Sequence, residues 1–135
     1  TTGVAYGASS SGGQYSGIAP GQHTFTARIA TTADNGVTIA RATQNVENGK
    51  AYSYFVSGFY DATTRTADAF VVEDAVPFET DFTIAAIRFV NASPNAGQYV
   101  LWLRNQATGQ VSQVGTATNY RGATAFVSVA PTLYD

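Results

Sequence analysis

The sequence predicts an all-β protein, an antiparallel β-sandwich of about ten strands. Three observations carry that expectation. Apolar and polar residues alternate in short runs; turn residues punctuate the runs at roughly the 8 to 12 residue spacing of sandwiches and barrels; and no window holds the i, i+3, i+4, i+7 pattern of an amphipathic helix. A strand sends successive side chains to opposite faces, so a period of two is what a half-buried sheet requires.

Short runs near Val4 and Tyr15 open the series. The clearest unit follows, HTFTARIATTADNGVTIARATQNV, where His23, Phe25, Ala27 and Ile29 alternate with Thr24, Thr26 and Arg28. Beyond the turn, Val37 and Ile39 alternate with Thr38 and Ala40. The intervening Asp34-Asn35-Gly36 predicts a hairpin, because Asn-Gly tolerates positive φ at both central positions of a type I′ turn. A second turn, Glu47-Asn48-Gly49-Lys50, leads into AYSYFVSGFYD, and Thr63 to Arg65 separate that strand from TADAFVVED. The expected result is a four-stranded meander. By parity Tyr52, Tyr54 and Val56 face inward, with Phe55 and Phe59 opposite; a sheet with aromatics on both faces is either covered twice or has a sticky side. VPFETDF reads as a crossing loop to a strand pair at residues 83–92 and 98–105, followed by strands at 111–118 and 123–130. On the first of these Ala85, Ile87 and Phe89 share the core face, and Arg88 points from the other.

Composition narrows the function classes. A chain of 135 residues with 44% hydrophobic residues is the size of one domain and can bury a core. Only 12% of residues are charged, so hydroxyls and amides must carry solubility. Seven scattered basic residues and a net charge of −2 leave no stripe for a phosphate backbone, so no nucleic-acid partner is expected. No apolar run approaches the roughly 20 residues that span a bilayer, and none is preceded by a charged leader, so no membrane insertion is expected. Thr1 in place of Met suits a processed secreted protein and an excised piece equally. Zero cysteines exclude disulfides, zinc thiolates and thiol catalysis.

Candidate chemistry is sparse. His23 is the one histidine, and nothing in the sequence sets it beside a carboxylate and a nucleophile as a hydrolytic triad needs. Glu73, Asp74, Glu79 and Asp81 could offer oxygens to calcium but lack the spacing of a known loop; a solvated connection is the simpler reading. Lys50, the one lysine, sits in a turn, where burial against an acid for an amide crosslink is not expected. Asn91-Ala92-Ser93 reads as a corner, with Pro94 fixing φ and Gly97 relieving the backbone. Tyr99, Trp102, Phe55 and Phe59 are candidates to stack on sugar rings, or simply to fill a sandwich or subunit contact. No catalytic residue, metal ligand or cofactor is assigned.

One internal repeat stands out. YGASSSGGQYSGIAPG begins at Tyr6 and YRGATAFVSVAPT at Tyr120. With residues 12–14 as an insertion in the first copy, Tyr6 aligns with Tyr120, Tyr15 with Phe126, Ile18 with Val129, and Ala19-Pro20 with Ala130-Pro131. On these segments the chain resembles the secreted bacterial domain-of-unknown-function family four-three-nine-seven, whose units open with a strand ending in a His-Ala-Ser-Pro-Asp-Ala corner. IRFVNASPNAG, from Ile87, is similar to that corner; both repeat copies resemble the segment that follows it, and Gly49-Lys50-Ala51-Tyr52 resembles a later strand. Asn91 stands where the family has His and Asn95 where it has Asp, so no metal or proton role is carried over to them.

The resemblance implies an Ig-like or transthyretin-like sandwich, secreted or at the cell surface. In family order, residues 1–82 form the later part of one unit and 83–135 the opening strands of another. Those strands either complete their own sandwich or enter a neighbour's, unless the chain is a piece of a longer protein. Ile87, Phe89, Leu101, Trp102 and Leu103 are the candidates for strand exchange. The expected function is a non-enzymatic structural module that self-associates as an oligomer or filament, or joins neighbouring surface proteins; the alternative is a glycan- or ligand-binding adhesion module.

Overall fold

The computed structural model describes residues 3–77 and 83–135. Among them eight strands occur, β1 (Gly21–Arg28), β2 (Thr38–Val46), β3 (Tyr52–Asp61), β4 (Thr66–Glu73), β5 (Ala85–Ile87), β6 (Tyr99–Arg104), β7 (Val111–Thr118) and β8 (Val127–Val129), and no α-helix. They pair antiparallel, as β1 with β2, β3 with β4, β5 with β8, and β6 with β7. The strands expected near Val4 and Tyr15 are absent: Ala8 N–H closes a turn on Ala5 O, and Ser10–Gly13 forms a short 3-10 turn in a Gly-Ser-rich stretch with little apolar surface to bury. Most of VPFETDF, including Glu79 and Asp81, lies outside the described residues.

The chain divides into two compact units, Thr1–Glu73 and Asp74–Asp135. In the first, β1 alternates as read from the sequence, with His23, Phe25 and Ala27 turned inward. On its outer face Thr24 and Thr43 share a hydroxyl hydrogen bond of 3.0 Å across the strands. The Asn-Gly turn differs from type I′, because only Gly36 has positive φ (83°). Gly36 N–H donates to Ile29 O and Ile29 N–H to Val37 O, the pattern of a G1 bulge. The register shifts again between Ala27 and Arg28, which face Ala40 and Thr38. Ile39 is the extra residue. The parity of β2 therefore flips, and Ala40 and Val46, each 5% exposed, take the core positions.

The expected meander is likewise replaced by two hairpins. β2 runs close to β4, with no ladder joining the two hairpins among the described residues. The Phe25 ring stacks on Tyr54 at 5.8 Å, and Tyr54 hydroxyl donates to Ala40 O at 3.4 Å. Burial raises the pKa of that phenol. Phe55 pairs across the strands with buried Phe70, rings 5.1 Å apart. A register shift between Ser57 and Asp61, with Gly58 at φ 85°, then turns Phe59 outward. Asp61 caps the tip by accepting from Thr63 and Thr64 N–H, which lowers its pKa.

In the second unit Val114 is 1% exposed and faces Leu101, whereas the other deeply buried side chains among the described residues are polar: Asp74, Asn91, Thr118 and Thr124. Arg88 forms an ion pair with Asp74, with side-chain exposures of 10% and 1%. Its guanidinium lies 4.9 Å from the centre of the Phe126 ring. The tail returns beside β6, where Arg104 and Asp135 exchange backbone hydrogen bonds and Gln106 N–H donates to Leu133 O.

Candidate functional site

The corner after β5 is fixed by hydrogen bonds from both the backbone and the side chain of Asn91. Asn91 is 1% exposed; its backbone N–H donates to Gly122 O at 2.9 Å and its carbonyl accepts from Arg121 N–H at 2.8 Å. Its side-chain amide donates to Thr118 O at 3.0 Å and Gly97 O at 3.4 Å, while Oδ1 accepts from Ser93 N–H. One side chain thus fastens the end of β7 and closes its own turn. Two residues earlier, Phe89 N–H donates to Thr124 Oγ1 and Phe89 O accepts from Thr124 N–H. Close approach is enforced by glycine: a Cβ on Gly115 (φ 66°) would lie 2.5 Å from Thr124 Cβ, and one on Gly122 would lie 2.8 Å from Thr118 Cγ2. Asn95, at φ 58°, turns the corner in the left-handed region that Asn tolerates better than most residues. An amide holds the Asn91 position through neutral hydrogen bonds, with no proton to exchange near neutral pH.

The strand-exchange candidates find partners within the second unit. Ile87 is opposite Val127, Leu101 opposite Val114, Trp102 opposite Gln113 and Leu103 opposite Ser112. Ile87, Phe89, Leu101 and Leu103 are half-buried. One edge of β5 and one of β6 is thus taken by β8 and β7.

The stacking candidates separate. Trp102 is 56% exposed on the outer face of β6 and β7, in line with Arg104, which is held by Asp135. That contact raises the Arg104 pKa and lowers that of Asp135. Tyr99 is 50% exposed at a register shift, and three positions from Trp102 it does not share a regular strand face with it. In the first unit Phe59 is exposed while Phe55 is occupied by Phe70, so the pair forms no common platform.

The remaining nominees are accounted for locally. His23 Nε2 donates to Ala19 O at 2.8 Å. Lys50 Nζ bridges Glu47 and Glu73 at 3.2 and 3.1 Å, and these contacts raise its pKa. Of the four acids read as possible calcium ligands, Glu73 is tied to Lys50 and Asp74 to Arg88. Among the described residues no three His, Cys, Asp or Glu side chains cluster as a metal site.

The class defined by these features is an all-β chain of antiparallel strand pairs, with an Asn-Ala-Ser-Pro-Asn corner locked into the strands that follow it. Within that class, the chain belongs to the family described as Domain of unknown function (DUF4397), which it matches over residues 1–102, up to Trp102 in β6. No curated protein and no solved structure matches it.

Proposed function

We propose that this chain is a non-enzymatic structural module of a bacterial cell surface, secreted and assembled through the edges of its open sheets, with a two-layered sandwich of Ig-like or transthyretin-like type as its finer architecture. The observation that carries this reading is that every sheet among the described residues is two-stranded. Such sheets present edge N–H and C=O groups, save where the tail pairs with Arg104 and Gln106, and an isolated hairpin is marginal in water, so added strands stabilise it. Self-association into an oligomer or filament, or addition to a neighbouring surface protein, satisfies those edges. Multi-angle light scattering across a hundredfold concentration range tests it: mass should rise with concentration, and a constant monomer mass would overturn it.

A second reading rests on Trp102. A half-exposed indole beside Arg104 and Gln113 offers a stacking plane with polar groups at its margin, the elements a sugar ring needs. Glycan-array binding abolished by Trp102→Ala would favour this adhesion role; an array without hits would remove it.

A further inference from the structure

The two copies of the internal repeat share local geometry but differ in partners. In the first, Ala8 N–H donates to Ala5 O and Gly7 has φ 75°; in the second, Gly122 N–H donates to Asn119 O and Arg121 has φ 66°. The turns at Tyr6 and Tyr120 are thus alike. After the Ala-Pro of each copy the likeness continues: His23 Nε2 donates to Ala19 O, and Tyr134 hydroxyl donates to Ala130 O, each from four residues on. At the turn similar sequence builds similar geometry; at the Ala-Pro end the matching carbonyl is held by unlike side chains.

Between those ends the copies part. Residues 120–131 line β5 through Val127–Val129 and the segment after it through Thr124, which bonds Phe89, and Gly122, which bonds Asn91. Residues 3–20 belong to no strand among the described residues, and each one whose side chain is described is exposed. Val4 is 57% exposed, Tyr6 107%, Tyr15 61% and Ile18 49%.

We propose that residues 3–20 are an acceptor for an extended strand of the kind seen at residues 84–97, an Ile-x-Phe alternation ending in an Asn-x-Ser-Pro corner, supplied in trans. This deepens the assembly reading by naming the acceptor and the strand it takes. The groups that hold β5 in the second copy have counterparts in the first. Ser10 retains the hydroxyl with which Thr124 accepts from Phe89 N–H. Tyr15 retains an aromatic ring where Phe126 receives Arg88. Ile18 stands for Val129, the residue opposite Ala85. The incoming Asn would donate its backbone N–H to Ala8 O and accept from Gly7 N–H, as Asn91 does with Gly122 and Arg121. The 3-10 turn at Ser10–Gly13, which holds most of the three-residue insertion, must open for this. In an intact second copy β5 is already held by β8, so the acceptor takes a strand not yet paired.

The experiment titrates a synthetic peptide, IAAIRFVNASPNAG, into the 15N-labelled full chain, with a scrambled peptide as control. Amide shifts are expected at Gly7, Ala8, Ser10 and Ile18, and the exposed double variant Tyr6→Ser, Ile18→Asp should bind at least tenfold more weakly. No shifts, equal shifts with the scrambled peptide, or shifts confined to residues 120–129 would overturn the proposal. Concentration-dependent assembly without peptide shifts would sink the acceptor alone, whereas peptide binding by a chain that stays monomeric would sink self-assembly alone.

Discussion

The two units are held by different forces. In Thr1–Glu73 the contacts are rings and methyls: Phe25 on Tyr54, Phe55 on Phe70, with Ala40 and Val46 beneath. In Asp74–Asp135 the deepest positions among the described residues belong to Val114 and to Asp74, Asn91, Thr118 and Thr124. Apolar contact stabilises without direction, so the first unit can tolerate the bulges at Ile39 and Gly58. Buried polar groups stabilise only in the right geometry, so the second unit is specified residue by residue. Both units carry register shifts, the second between Tyr99 and Leu101, so the contrast lies in what the deepest side chains require: contact in the first unit, directed hydrogen bonds in the second.

Substitutions can break that contrast. The largest expected effects are one in each unit. Asp74→Ala leaves the Arg88 guanidinium buried without its carboxylate and should cost about 3 to 5 kcal/mol. Phe70→Ala removes a ring that is 7% exposed and should cost about 3 to 5 kcal/mol by cavity formation. The chemistry separates them: Phe70→Leu should recover most of the loss, whereas Asp74→Leu should not, as urea titration would show. Equal rescue at both sites would erase the distinction.

Asn91→Ala is expected to cost about 1 to 3 kcal/mol, since Thr118 O loses its amide donor and Ser93 N–H loses its acceptor. Amide exchange should quicken around Thr118 more than around Val127, which keeps its backbone pairing with Ile87. The smallest effect concerns Asp61. Its carboxylate is stabilised by Thr64 and Thr63 N–H, so its contribution is complete above the usual carboxylate range and is lost as pH falls through the lowered native value. Asp61→Asn should therefore flatten the acid limb of a Tm-against-pH curve slightly, leaving the neutral limb nearly unchanged.

The sequence made some of this comparison legible. The parity of β1 was readable because hydrophobic alternation runs unbroken through His23, Phe25 and Ala27. Ile39 was misplaced because a bulge adds a residue without altering composition, and Asn-Gly suits both a type I′ turn and a turn closed by a glycine bulge. Phe59 was grouped with Phe55 for the same reason, since a single Gly58 is a weak mark of a register shift. The meander failed because adjacency along the chain does not fix which edge a hairpin meets. Asn91 was readable as a corner from Ser-Pro and Gly, but its grip on Thr118 spans 27 residues, a distance no local pattern encodes. The internal repeat was visible in letters; the shared carbonyl acceptors at Ala19 and Ala130 were hidden because His23 and Tyr134 differ in kind.

Arg121 adopts a backbone shape that glycine holds at no steric cost, and its guanidinium sits 5.5 Å from the centre of the neighbouring Tyr120 ring. Left-handed geometry costs an ordinary residue about 1 to 2 kcal/mol, and an exposed cation above an aromatic face returns about 0.5 to 1 kcal/mol. The ring contact therefore offsets about half of the strain, and an arginine here keeps a positive charge on the surface at a small residual conformational cost.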